Sequence, residues 1–85
     1  MLLSQLPNGA RAHVVGVISG AAKVGVATLR RLGELGFIGG EPVQVLRRGP
    51  GGREPLAVQV GETLFALRLL EAQCIEVQVE DVHVS

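Results

Sequence analysis

Residues 12 to 19 read AHVVGVIS, a valine- and isoleucine-rich run that suits a half-buried strand. Gly16 predicts a bulge in it, with Val14 inward and Val15 and Val17 partly buried. After a small-residue connection, Gly20 to Gly25, the apolar spacing lengthens. Val26, Leu29, Leu32 and Leu35 recur on one helical face while Arg30, Arg31 and Glu34 point elsewhere, so a helix is expected to start between Lys23 and Ala27. Alternation then returns. It predicts strand two over Pro42 to Arg48, strand three over Leu56 to Val60 with Leu56, Val58 and Val60 on one side, and strand four over Thr63 to Arg68. Leu69 to Gln73 allows one helical turn. In strand five, Cys74 to Val79, the same alternation sends Ile75, Val77 and Val79 inward and Cys74, Glu76 and Gln78 outward.

Glycine and proline punctuate these runs. Gly36 stands where a left-handed residue would stop the helix, its N–H reaching the carbonyl of Gly33 and that of Phe37 the carbonyl of Leu32, with Phe37 packed back on Leu32. Gly39 and Gly40 permit a turn before Pro42. Residues Gly49 to Pro55 form a loop, and Gly61-Glu62 fits a two-residue hairpin with glycine first. Leu3 and Leu6, followed by Pro7-Asn8-Gly9, make a short packed lead-in. The fold expected is mainly β: a small SH3-like barrel of about five antiparallel strands with one inserted α-helix, since closure removes most sheet edges. Residues 1–85 make a single domain, with 80–85 an acidic tail.

Composition narrows the function. At 47% hydrophobic and 19% charged, the chain is well clear of the disordered class, yet only 2% is aromatic, so its core must be built from small branched side chains. Formal charge is zero but unevenly spread, most arginines lying before Glu54 and most acids from Glu54 onward. A nucleic-acid binder would be basic overall and rich in stacking aromatics, which argues against nucleic acid as a partner. Cys74 is the one cysteine, which excludes an internal disulfide and suits a reducing, cytoplasmic compartment. No signal-peptide pattern or membrane-length apolar run is present, so no direct membrane insertion is expected.

Catalytic chemistry finds no footing. The Gly49 to Arg53 loop lacks the Gly-Lys-Ser/Thr ending of a phosphate loop, no Ser-His-Asp assembly is evident, and a Cys74 thiol among acidic neighbours would be held protonated. The reading is that this is no enzyme, with no obligatory cofactor. His13, in a valine-rich strand, reads as an ordinary outward or hydrogen-bonded histidine. Asp81 and His83 share a face of an extended tail beside Glu80, a donor set suited to zinc or ferrous iron but too small to hold either alone. It predicts at most a weak site shared between molecules. The stripe Leu29, Leu32, Leu35 and Phe37 is more than a short helix can bury on so small a barrel. With Arg30 and Arg31 beside it, it forms a candidate docking face, and Arg47, Arg48 and Arg53 offer charge to steer an acidic partner.

Arg31, Leu32, Leu35, Gly36, Phe37, Gly40, Val43 and Val45, followed by the Pro50 to Pro55 loop and by Ala66, Leu67, Arg68, Ala72 and Ile75, resemble in order and spacing the bacterial ferrous-iron transport protein A family, FeoA. The chain departs from that pattern at Gly39, where proline is usual, and at Gly33 inside the helix. The resemblance implies an SH3-like domain and a non-enzymatic, cytosolic accessory that regulates ferrous-iron uptake. It would dock the cytoplasmic part of a membrane GTPase-linked iron transporter, as a monomer or weak homodimer. The alternatives are a metal-responsive or metal-binding small protein, or the stand-alone barrel of a metal-dependent repressor, the last disfavoured because no helix-turn-helix precedes it.

Overall fold

The computed structural model describes residues 1–18 and 24–80. Five strands, β1 (Arg11–Val17), β2 (Pro42–Arg48), β3 (Leu56–Val60), β4 (Thr63–Leu67) and β5 (Ile75–Val79), form one antiparallel sheet in the order β4-β3-β2-β1-β5. Helix α1 (Val26–Glu34) lies in the β1–β2 connection and the short α2 (Leu69–Ala72) between β4 and β5. The inward valines and leucines of the strands, Val14, Val43, Val45, Leu56, Val58 and Val77 among them, enclose a core with Leu3, Leu6, Leu32 and Phe37. Phe37 meets Phe65 at 5.9 Å between ring centroids in a tilted pair, so the two aromatics of the chain sit together.

Local chemistry acts where it was expected. Gly36 takes φ 116°, its N–H donates to the carbonyl of Gly33 at 3.1 Å and that of Phe37 to the carbonyl of Leu32 at 3.2 Å, a Schellman stop. Val60 and Thr63 pair across Gly61-Glu62, with Gly61 at φ 57°. The β1–β5 register slips between Val14 and Gly16, which leaves Val15 as the extra residue of a bulge.

Four expectations are corrected. Cys74 is buried, not outward: it lies in the turn after α2, where its Sγ contacts the Leu70 carbonyl oxygen at 3.3 Å, and β5 begins only at Ile75. Strand alternation does not reach it. Val79, expected inward, is 40% exposed because it is the last residue of an edge strand. Val15 is 48% exposed, since the bulge turns it out of the core. β4 ends at Leu67, and Arg68 instead leads into α2.

The lead-in does more than pack. Its Leu3–Gln5 segment is a 3-10 turn, and Met1 exchanges hydrogen bonds with Val77: the Val77 N–H donates to Met1 O at 2.8 Å and the terminal ammonium to Val77 O at 3.1 Å. Leu2 bridges Glu76, so the first residues cover the β5 edge. Arg48 holds this segment in place. Its Nη2 donates to the carbonyls of Ser4 at 2.9 Å and Leu6 at 2.8 Å, and its Nη1 to Asn8 Oδ1.

Candidate docking surface

Helix α1 begins without a side-chain cap; instead the N–H groups of Thr28 and Leu29 donate to the Gly25 carbonyl. Over this short helix, burial is graded. Leu32 is wholly enclosed, Leu29 and Leu35 are half-buried against the core, and Val26 in the first turn is 74% exposed. Phe37, just past the stop, is 1% exposed. Leu32 and Phe37 therefore offer a partner no side-chain surface, and their place in the expected docking set is corrected: they shape the face from beneath. The free apolar groups stand at the two ends of the helix segment, Val26 and, beyond Gly36, Ile38 at 52% exposure. Val26 shares the predicted apolar face of the helix but stands outside the expected docking set. Ile38 carries no periodic signal and was not foreseen.

The two arginines diverge. Arg30 is exposed. Arg31 pairs with Glu71 at 3.3 Å, the one ion pair among the described residues, with the arginine side chain 65% and the glutamate 14% exposed. Glu71 also accepts the N–H of Arg68 at 2.8 Å, and Glu54 accepts that of Leu69 at 2.7 Å, so two carboxylates supply acceptors at the start of α2. Thr28, Arg31, Ala66, Arg68 and Leu70 line a cleft of about 380 Å³ where α1, α2 and the end of β4 meet. The pair Arg31–Glu71 spans the two helices beside it. Arg48 is removed from the set that could steer a partner, because its guanidinium is taken up by the lead-in.

Of the expected metal ligands, Glu80 is exposed and borders a separate cleft of about 300 Å³ together with Arg11, Gln44 and Gln59. Arg11 there opposes a second cation. Asp81 and His83 lie outside the described residues. His13 is half-buried and faces Gln78 and Pro42 across its neighbouring strands, and no group of three or more ligating side chains converges among the described residues. Burial, and after it the Glu71 carboxylate, pushes the Cys74 thiol above its ordinary pKa, which disfavours a nucleophilic thiolate. No helix among the described residues is long and apolar enough to cross a membrane.

A family model described as "FeoA domain" matches residues 1–79. No curated protein matches the chain. Among solved structures, the chain is similar to the FeoA of Stenotrophomonas maltophilia, crystallised with zinc and described as a procaryotic SH3 domain protein and a suggested ferrous iron transport activating factor. Identity is 49% over 92% of this chain and 89% of that one, with a TM-score of 0.79. The FeoA protein of Chlorobium tepidum is 35% identical over 98% of this chain and 76% of that one, with a TM-score of 0.78. Iron(II) transport protein A of Clostridium thermocellum is 30% identical over 93% of this chain and 45% of that one, at 0.74. The five-stranded antiparallel architecture is thus of the SH3-like kind that the alternation pattern predicts.

Proposed function

The chain belongs to the FeoA family, and from that premise we propose that it is a cytoplasmic accessory of ferrous-iron uptake that docks the cytosolic part of a membrane GTPase-linked transporter through the outer face of α1. Family membership ties the chain to ferrous iron transport. The observation that carries the docking reading is the gradient along α1: one buried leucine holds the helix, while Val26, Arg30 and the outer flanks of Leu29 and Leu35 remain available. Val26, the first residue of the helix, is apolar surface that the core does not use.

The test is a calorimetric titration and pull-down with the transporter's cytosolic domain, circular dichroism confirming that each variant is folded. Val26→Glu puts an unpaired charge into the interface without touching the core, and is expected to weaken binding at least about tenfold. Leu29→Glu is expected to weaken it as well, but part of that loss is stability, since Leu29 is packed on the core. Arg30→Glu should slow association and alter its salt dependence more than it speeds dissociation. Folded Val26→Glu that binds as well as the parent would move the docking face off α1.

The zinc complex of the Stenotrophomonas relative favours a second reading, a divalent ion such as zinc or ferrous iron held weakly by Glu80 with Asp81 and His83 and shared between two molecules. Zinc affinity should then rise with protein concentration, and tight binding by the monomer would refute it.

A further inference from the structure

The chain treats the two edges of its sheet differently. The β5 edge is covered by Met1 and Leu2 and carries Glu76. The β4 edge, TLFAL, carries no charge and no proline and keeps an unbroken register with β3, and α1 flanks only its Ala66–Arg68 end, across the cleft described above. A two-residue hairpin makes Val60 and Thr63 a hydrogen-bonded pair. Alternation from there turns the N–H and C=O of Thr63, Phe65 and Leu67 toward β3 and those of Leu64 and Ala66 outward. Outside that ladder, neither Leu64 nor Ala66 makes a hydrogen bond with any described residue. Their side chains share the outer face, Leu64 at 63% exposure and Ala66 also exposed. Arg68 continues the line of the strand in an extended conformation, φ −73° and ψ 155°.

We propose that β4 is the interface of a symmetric homodimer in which two copies of the chain pair antiparallel about Phe65. In that register Leu64 of one copy lies opposite Ala66 of the other, so every outward N–H meets an outward C=O. Beyond the paired strands, Glu62 in the hairpin turn of one copy comes beside Arg68 of the other, close enough for their side chains to meet, and by symmetry this occurs at both ends. Both residues are exposed, and neither is in an ion pair within one chain among the described residues. Sliding the pairing by one step in either direction sets Leu64 opposite Leu64, or Ala66 opposite Ala66, and parts the charges. The edge is self-complementary in hydrogen bonding, apolar contact and charge at a single register, which is why a second copy is the occupant it fits. The interface is separate from the outer face of α1, and the measurements that decide for or against the homodimer need no transporter.

The experiment is sedimentation velocity on the full chain over a concentration series, with amide hydrogen exchange read by NMR. A dimer with a dissociation constant on the order of 10–100 μM is expected, in keeping with a small interface. Exchange at Leu64 and Ala66 should slow as concentration rises while Thr63 and Phe65 stay unchanged. Leu64→Lys should weaken association at least about tenfold by charging the edge. Arg68→Glu should weaken it too, and adding Glu62→Arg should restore it, a rescue that only facing charges produce. A chain that stays monomeric to about 1 mM overturns the proposal. So does a dimer indifferent to Leu64→Lys, and so does failure of the double reversal to rescue. A monomer whose Leu64→Lys variant loses transporter binding would assign the edge to a different chain, and the homodimer would again be refuted.

Discussion

Leu32→Ala should come close to unfolding this protein. Leu32 is the fully buried residue of α1, and its carbonyl accepts the Phe37 N–H that closes the helix stop. The substitution withdraws about three methyl-sized groups from the core, at roughly 0.8 kcal/mol each a transfer loss of about 2.4 kcal/mol. A cavity forms unless Phe37 and the half-buried Leu29 and Leu35 relax into it, and at roughly 24 cal/mol per Å³ an unrelaxed void of about 50 Å³ adds close to 1 kcal/mol. The sum, about 3.5 kcal/mol, rivals the 3 to 5 kcal/mol that a core of this size supplies. With a urea slope of about 1 kcal/mol per molar, the denaturation midpoint should fall by about 3.5 M, leaving a sizeable unfolded fraction in buffer. Urea titration followed by circular dichroism measures this, with Val26→Ala as the exposed control, expected to shift stability by less than about 0.5 kcal/mol. An unchanged midpoint for Leu32→Ala would show that α1 is held by something other than its leucine.

Two further outcomes follow from single side chains. Arg48→Met keeps much of the aliphatic stem but strands the Ser4 and Leu6 carbonyls; it should destabilise the fold by about 1–3 kcal/mol and speed amide exchange at Val77, whose partner Met1 belongs to the same lead-in, and unchanged exchange there would refute the coupling. Because burial and Glu71 raise the Cys74 pKa in the folded state, the native protein keeps a proton that the unfolded chain releases. Stability is therefore full below pH 9.0, the ordinary thiol value, and declines as pH rises through the folded pKa. Urea midpoints taken from pH 7 to about 11 should show this decline, and Cys74→Ala should flatten it; an equally steep decline in the variant would refute the assignment.

What could be read from the residues alone was what depends on near neighbours. The hydrogen bonds of Gly36 and Phe37 are set within one helical turn, and the β3–β4 hairpin within two residues of Gly61, so both were legible. Alternation failed at Cys74 because period two holds only inside a strand, and nothing local marks where α2 hands over to β5. The helical stripe grouped Leu29, Leu32 and Leu35 correctly but could not rank their burial, which depends on how the sheet curves beneath them. The stripe thus puts Leu32 and Phe37 in a docking set although the core encloses both. Arg48 looked like a solvated arginine because its acceptors lie more than 40 residues earlier in the chain. The Met1–Val77 pairing, 76 residues apart, leaves no trace in any local pattern.

The attachment of α1 by one enclosed leucine and a glycine stop divides the helix between two selective pressures. Substitutions at Leu32, Gly36 or Phe37 are judged by whether the polypeptide folds at all, whatever it later meets. Changes at Val26 and Arg30, both exposed, cost the fold almost nothing, so under the proposed docking a lineage can redraw them in step with the counterpart on another protein. Drift at those two positions, accompanied by matching change in the counterpart, would let paralogues in one cell part company without either losing its architecture.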